Sequence, residues 1–135
     1  GLANPNALLM AQNTFDAVHK IGMPEARIIL SECTIYLATS PKSNSAYEAI
    51  DNAIALVKQT GDLPVPLHIR NAPTKLMKEI GYGKDYKYAH AYDGNFVEQD
   101  FLPKEIKNNR IYQPQNNAAE LKILERLKQW WGNRF

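Results

Sequence analysis

Proline and glycine punctuate this 135-residue chain so regularly that they set the lengths of its helices before any site can be sought. Asn4-Pro5 reads as an N-cap followed by proline at the first helical position. Leu8, Ala11, Phe15 and Val18 then recur at helical spacing until Gly22. Pro24 restarts the chain, and Ile28, Ile29, Leu30, Cys33, Ile35, Tyr36 and Leu37 leave few polar faces before Ser40-Pro41, which predicts the most buried helix. A third helix runs from about Pro41 or Ser43 to Thr60, with Tyr47, Ile50, Ile54 and Val57 on one stripe and Gly61 as its stop. Ser40, Ser43 and the Ser45 to Glu48 capping spacing compete for its start. Connections this short predict antiparallel packing of the three helices.

The texture then changes. Pro64, Pro66 and Pro73 favour extended backbone, and a short helix from Pro73 to Ile80 places Leu76, Met77 and Ile80 inward before Gly81. Tyr86, Tyr88, His90 and Tyr92 alternate with the two-residue period of a strand face. Asp93-Gly94-Asn95 is turn chemistry, and Phe96, Val97 and Phe101 supply a return. Pro103 starts one helical turn, and Arg110-Ile111-Tyr112 is briefly extended. Asn117 with Glu120 opens a last amphipathic helix of Leu121, Leu124, Leu127 and Trp131 that stops at Gly132. The expectation is one domain over residues 1–135, mainly α: a helical bundle with a small β-ribbon around residues 86–101.

Cys33 is the only cysteine, which removes intramolecular disulfides and cysteine-based metal clusters. Nothing approaches the run of about 20 apolar residues that crosses a bilayer. GLANPNALL has neither the basic start nor the apolar run of a signal peptide, so a soluble, cytoplasmic chain without membrane contact is expected.

Catalytic chemistry finds no foothold. A phosphate loop needs two glycines flanking four residues, then lysine and a hydroxyl. Gly81-Tyr82-Gly83-Lys84-Asp85 instead follows a helix and puts a carboxylate where the hydroxyl belongs. His19, His68 and His90 lack metal-ligand spacing, and Asp16, Glu25, Glu32, Glu48 and Asp51 show no paired-carboxylate pattern. No enzyme site, cofactor site or metal site is expected in this chain.

Two surfaces are more informative. Arg70, Lys75, Lys78, Lys84 and Lys87 face only Glu79 and Asp85 in the same stretch, with Tyr82, Tyr86 and Tyr88 interleaved. Cations beside exposed rings suit single-stranded nucleic acid, because rings stack bases and lysines meet phosphates. The plainer and preferred reading packs the tyrosines inward and leaves the lysines as solubilising charge. At the C-terminus, Trp130 and Trp131 carry more aromatic area than one stripe hides. Either an assembly surface or a fold back onto the same chain would account for them.

The segments IGMPEARIIL, IYLATSPKSNSAYEAID, VPLHIRNAPTKLMKEIGYGKDYKYAHAYDGNFVEQDFLP and RIYQP resemble the C-terminal domain of the replication-associated recombination protein A family, and the likeness spans nearly the whole chain. That resemblance implies a clamp-loader-like AAA+ ATPase parent acting in DNA replication, recombination and repair at stalled forks. Such a parent associates with DNA and single-strand-binding protein, and is nucleoid-associated in a bacterial cytoplasm. ATP and Mg would belong to an N-terminal module with Walker motifs, which this chain lacks, so the chain reads as an excised piece. The resemblance further implies a helical collar through which subunits assemble with themselves, typically as tetramers. The alternative it leaves is direct contact of residues 70–92 with single-stranded DNA or single-strand-binding protein.

Overall fold

The computed structural model describes all residues, 1–135. Its regular structure consists of helices α1 (Asn6–Ile21), α2 (Ala26–Thr39), α3 (Ser45–Thr60), α4 (Lys75–Ile80) and α5 (Ala118–Trp131), with short 3-10 turns and no strand. The fold is mainly α, as expected, and none of its helices is long and apolar enough to cross a membrane. The chain groups into two compact units, Gly1–Asp51 with Tyr112–Glu125 and Asn52–Ile111 with Arg126–Phe135, the division falling within α3 and within α5.

In the first unit, α1 and α2 pack as a hairpin. Asn4 does not cap α1. Its amide instead donates to the Tyr36 hydroxyl at 3.1 Å and the Ser40 hydroxyl at 2.9 Å, tying the start of α1 to the end of α2. The hairpin closes on small side chains: Ala3, Ala26, Cys33 and Thr14 are its buried residues. The second helix does hold two buried residues, Ala26 and Cys33, where every other helix holds at most one, but the large aliphatic side chains Ile28, Leu30 and Ile35 expected to be covered are exposed. One neighbouring helix covers one face, and α2 has apolar residues on more than one.

The second unit is built on loops. α4 begins at Lys75, two residues later than expected, because the Thr74 hydroxyl accepts from the Met77 N–H at 3.3 Å. It ends where Gly81 turns left-handed (φ 97°), with Gly81 N–H on the Lys78 carbonyl and Tyr82 N–H on that of Met77. Only Met77 of the expected inward trio is half-buried, while Leu76 and Ile80 face solvent.

The β-ribbon around residues 86–101 does not form. Ala89–Ala91 and Asp93–Asn95 are consecutive 3-10 turns, closed by Ala91 N–H on Tyr88, Tyr92 on Ala89 and Asn95 on Tyr92. Asp85, Gly94 and Asn95 all have positive φ, which breaks any extended run on both sides of the tyrosines. A two-residue alternation of amphipathic rings is equally compatible with an exposed coil, and local hydrogen bonding decided between the two.

Candidate functional site

Four groups of side chains stand out, and all but the first are visible as groups in the sequence.

The first is a buried polar hub at the start of α3 and α5, within the first unit. Glu120 is 0% exposed, yet no cation reaches it. Its carboxylate accepts from the Ser43 hydroxyl, from the Tyr112 hydroxyl at 2.9 Å, from the Gln115 N–H at 3.1 Å and from the Asn117 amide at 2.9 Å. In return the Glu120 N–H donates to Asn117 Oδ1 at 3.0 Å, completing the cap that the Asn117 to Glu120 spacing predicts. Ser43 also settles the start of α3, since its hydroxyl accepts from the Ser45 N–H at 3.2 Å. Burial by itself would raise the Glu120 carboxyl, but the hydroxyl, amide and backbone donors outweigh it and hold the group at about 2. Burial, the hydrogen bond to Glu120 and its negative charge push Tyr112 up to about 12. A carboxylate spent on neutral donors clamps chain segments together and has no proton to offer near neutral pH. Sequence reasoning saw the Asn117 pair but not Ser43, Tyr112 or Gln115, because nothing local marks partners up to 77 residues away.

The second group is the stripe on α3. Tyr47, Ile50, Ile54 and Val57 are between 46% and 67% exposed. Their spacing of three, four and three residues lays four apolar side chains along one line of the helix, the pattern of a coiled-coil seam without its partner. Leu8, Leu9 and Phe15 of α1 are likewise exposed. Exposed apolar side chains aligned along one helix are the pattern of an interaction surface.

The third group is the basic segment, which splits in two. Arg70 and Tyr82 are spent on each other: the guanidinium lies 5.0 Å from the ring centre, donates to the Tyr82 hydroxyl at 3.1 Å and holds the Val65 carbonyl at 2.6 Å. Lys75 pairs loosely with Glu79 at 4.0 Å on the surface. Lys78, Lys84 and Lys87 line a common cleft, with Lys87 donating to the Glu98 carbonyl at 3.2 Å. Tyr86 and Tyr88 stay open to solvent. The expectation of inward-packed tyrosines therefore holds for Tyr82 and fails for these two.

Trp130 and Trp131 turn back on their own unit. Phe96 stacks on Trp130 at 5.4 Å and meets Trp131 edge-on at 5.1 Å, while Arg126 and Arg134 lie over the two indoles. No set of three or more His, Cys, Asp or Glu side chains is grouped to hold a metal ion.

With this geometry in hand, comparison with known proteins gives a consistent result. Residues 1–131 match the family described as MgsA AAA+ ATPase C terminal. The chain is 43% identical over 129 residues to a replication-associated recombination protein A of Coxiella burnetii, covering 95% of the chain and 29% of that protein. It is 41% identical over 128 residues to the protein of the same name from Escherichia coli, covering 94% and 29%. Likeness extends to ATPase WRNIP1 of Dictyostelium discoideum, 43% over 114 residues, 84% of the chain and 13% of that protein. The chain thus spans less than a third of the length of these relatives.

Proposed function

The chain belongs to the MgsA AAA+ ATPase C-terminal family, and from that premise we propose that it is the non-catalytic assembly module of an AAA+ ATPase working in DNA replication and recombination. The observation that carries this reading is the open seam on α3. Tyr47, Ile50, Ile54 and Val57 have the repeat that another helix of the same pattern fills, and α3 of a second copy is such a helix. Burying side chains of this size gains roughly 1.5–3 kcal/mol each relative to leaving them in water.

In the parent, self-assembly of residues 1–135 into a clamp-loader-like collar, as a tetramer, sets ATPase modules side by side so that one subunit completes the nucleotide site of the next. ATP and Mg act in that module, and this chain contributes position. The surroundings of Glu120 fit a scaffold, because its donors are all committed to holding segments together.

Light scattering across a concentration series tests the proposal. The expected result is a mass that grows toward a multiple of 15.3 kDa with concentration. A strict monomer throughout the series would overturn it.

A further inference from the structure

A separate cavity of the second unit lies away from the lysine cleft and from the α3 seam. Its volume is about 410 Å³, within the range of roughly 300–1,000 Å³ usual for small-molecule sites. One wall is the run Pro64-Val65-Pro66-Leu67 and the other is Leu102-Pro103, so both walls are apolar. Val65 and Leu67 stay 53% and 45% exposed, which leaves apolar area in water for a ligand to cover.

The trough is held open by backbone geometry and by cross-links between distant residues. Proline fixes φ at positions 64, 66 and 103. Ile69 N–H and Arg70 N–H close back on the Pro66 and Leu67 carbonyls at 3.2 Å each, and Ile106 N–H closes on that of Pro103 at 3.0 Å. His68 then ties one wall to the other, bonding the Asp100 carbonyl through Nε2 at 2.7 Å, while Arg70 Nε braces the Val65 carbonyl at 2.6 Å. A site built before its ligand arrives loses little entropy on binding.

The rim is cationic. Lys104 and Lys107 are exposed and form no ion pair, and Arg70 spends its hydrogen bonds on the neutral Val65 carbonyl and Tyr82 hydroxyl. Of the two carboxylates at the cavity, Asp100 is paired with Arg134 at 3.6 Å, which leaves Glu105 alone against these cations. The surplus is positive. An apolar body suits the walls and one anionic group answers the rim, whereas a ligand polar throughout would lose hydration to walls that offer it no hydrogen bond.

We infer that this trough binds a small amphiphilic anion: a compact apolar body between Val65, Leu67 and Leu102, carrying one carboxylate that meets Lys104 and Lys107. The site stands independently of self-assembly, since no residue of the trough belongs to the α3 seam.

The test is an NMR titration of the isotope-labelled 135-residue chain with phenylbutyrate and, in parallel, with the uncharged phenylbutanol. The carboxylate is expected to shift the amides of Val65, Leu67, Leu102 and Glu105 along one saturable curve with a Kd of about 1 mM, and the alcohol to bind about threefold more weakly. Lys104→Glu combined with Lys107→Glu should weaken the carboxylate about fivefold and leave the alcohol unchanged, and Val65→Asp should weaken both roughly tenfold. Amide positions outside the trough should match those of the unaltered chain, which separates loss of the site from loss of the fold. Shifts of equal size at Leu8, Phe15 and Ile50, which are exposed apolar residues elsewhere, would mean contact with any bare apolar surface and would overturn the proposal. So would a curve still linear at about 10 mM, equal binding of the alcohol, or undiminished binding of the carboxylate by the lysine variant.

Discussion

The Ser43 hydroxyl donates to Oε1 of Glu120 across 77 residues of sequence, joining the turn before α3 to the first turn of α5. Four donors converge on that one carboxylate, none of them charged. Glu120→Ala leaves the Ser43, Tyr112 and Asn117 groups and the Gln115 N–H without their acceptor. It is expected to lower stability by roughly 2–3 kcal/mol, read as an earlier midpoint in urea unfolding. Glu120→Gln preserves the shape but turns an N–H pair toward donors, so it should recover only part of the loss.

The pH dependence follows from the same residue. The folded carboxyl sits at about 2, below its ordinary 4.5. Its contribution to stability is therefore complete above pH 4.5 and drains away as pH falls toward 2. Tyr112 works at the other end: its folded value of about 12 lies above the usual 10, so its contribution is complete below pH 10 and is lost as pH rises through 12. Thermal melts across both windows should show each loss. Glu120→Gln should flatten the acid one, and Tyr112→Phe the alkaline one.

The start and end signals of the helices were legible in the sequence because they are local. Gly22, Gly61 and Gly81 stop helices where expected, and Asn117 with Glu120 opens α5. What failed depended on neighbours that local pattern does not reveal. Ile28, Leu30 and Ile35 looked like core and are open, because hydrophobicity says that a residue wants cover but not whether the same chain supplies it. The alternating tyrosines looked like a strand, but the local hydrogen bonds of the turns at Ala89–Ala91 and Asp93–Asn95 take up that backbone instead. Of the candidate site, the lysines were visible as a cluster. That Arg70 is consumed by Tyr82 while Lys78 and Lys84 are free needed coordinates.

If α3 is the seam, its side chains should govern association and little else. Ile50→Asp combined with Ile54→Asp places charge in the middle of the stripe, where both residues are already exposed. The unaltered chain is expected to melt at a temperature that rises with protein concentration, whereas the double variant should melt at one temperature regardless of concentration.

Phe96 is the wedge between the two indoles. Truncation in Phe96→Ala removes a stacked and an edge-on ring contact at once, and the expected cost is about 2 kcal/mol. Tryptophan emission should shift to the red as Trp130 and Trp131 gain water. An unshifted spectrum would contradict the packing described.

The absence of a cation beside Glu120 sets how the two ends of this chemistry respond to ionic strength. Mobile ions screen exposed charges across a Debye length of about 8 Å at physiological concentrations, but they have little purchase on a buried charge solvated by hydroxyl, amide and peptide dipoles. Concentrated salt therefore loosens surface pairs such as Lys75 with Glu79 while the clamp at the starts of α3 and α5 stays intact, so brine softens the rim of the molecule before its frame.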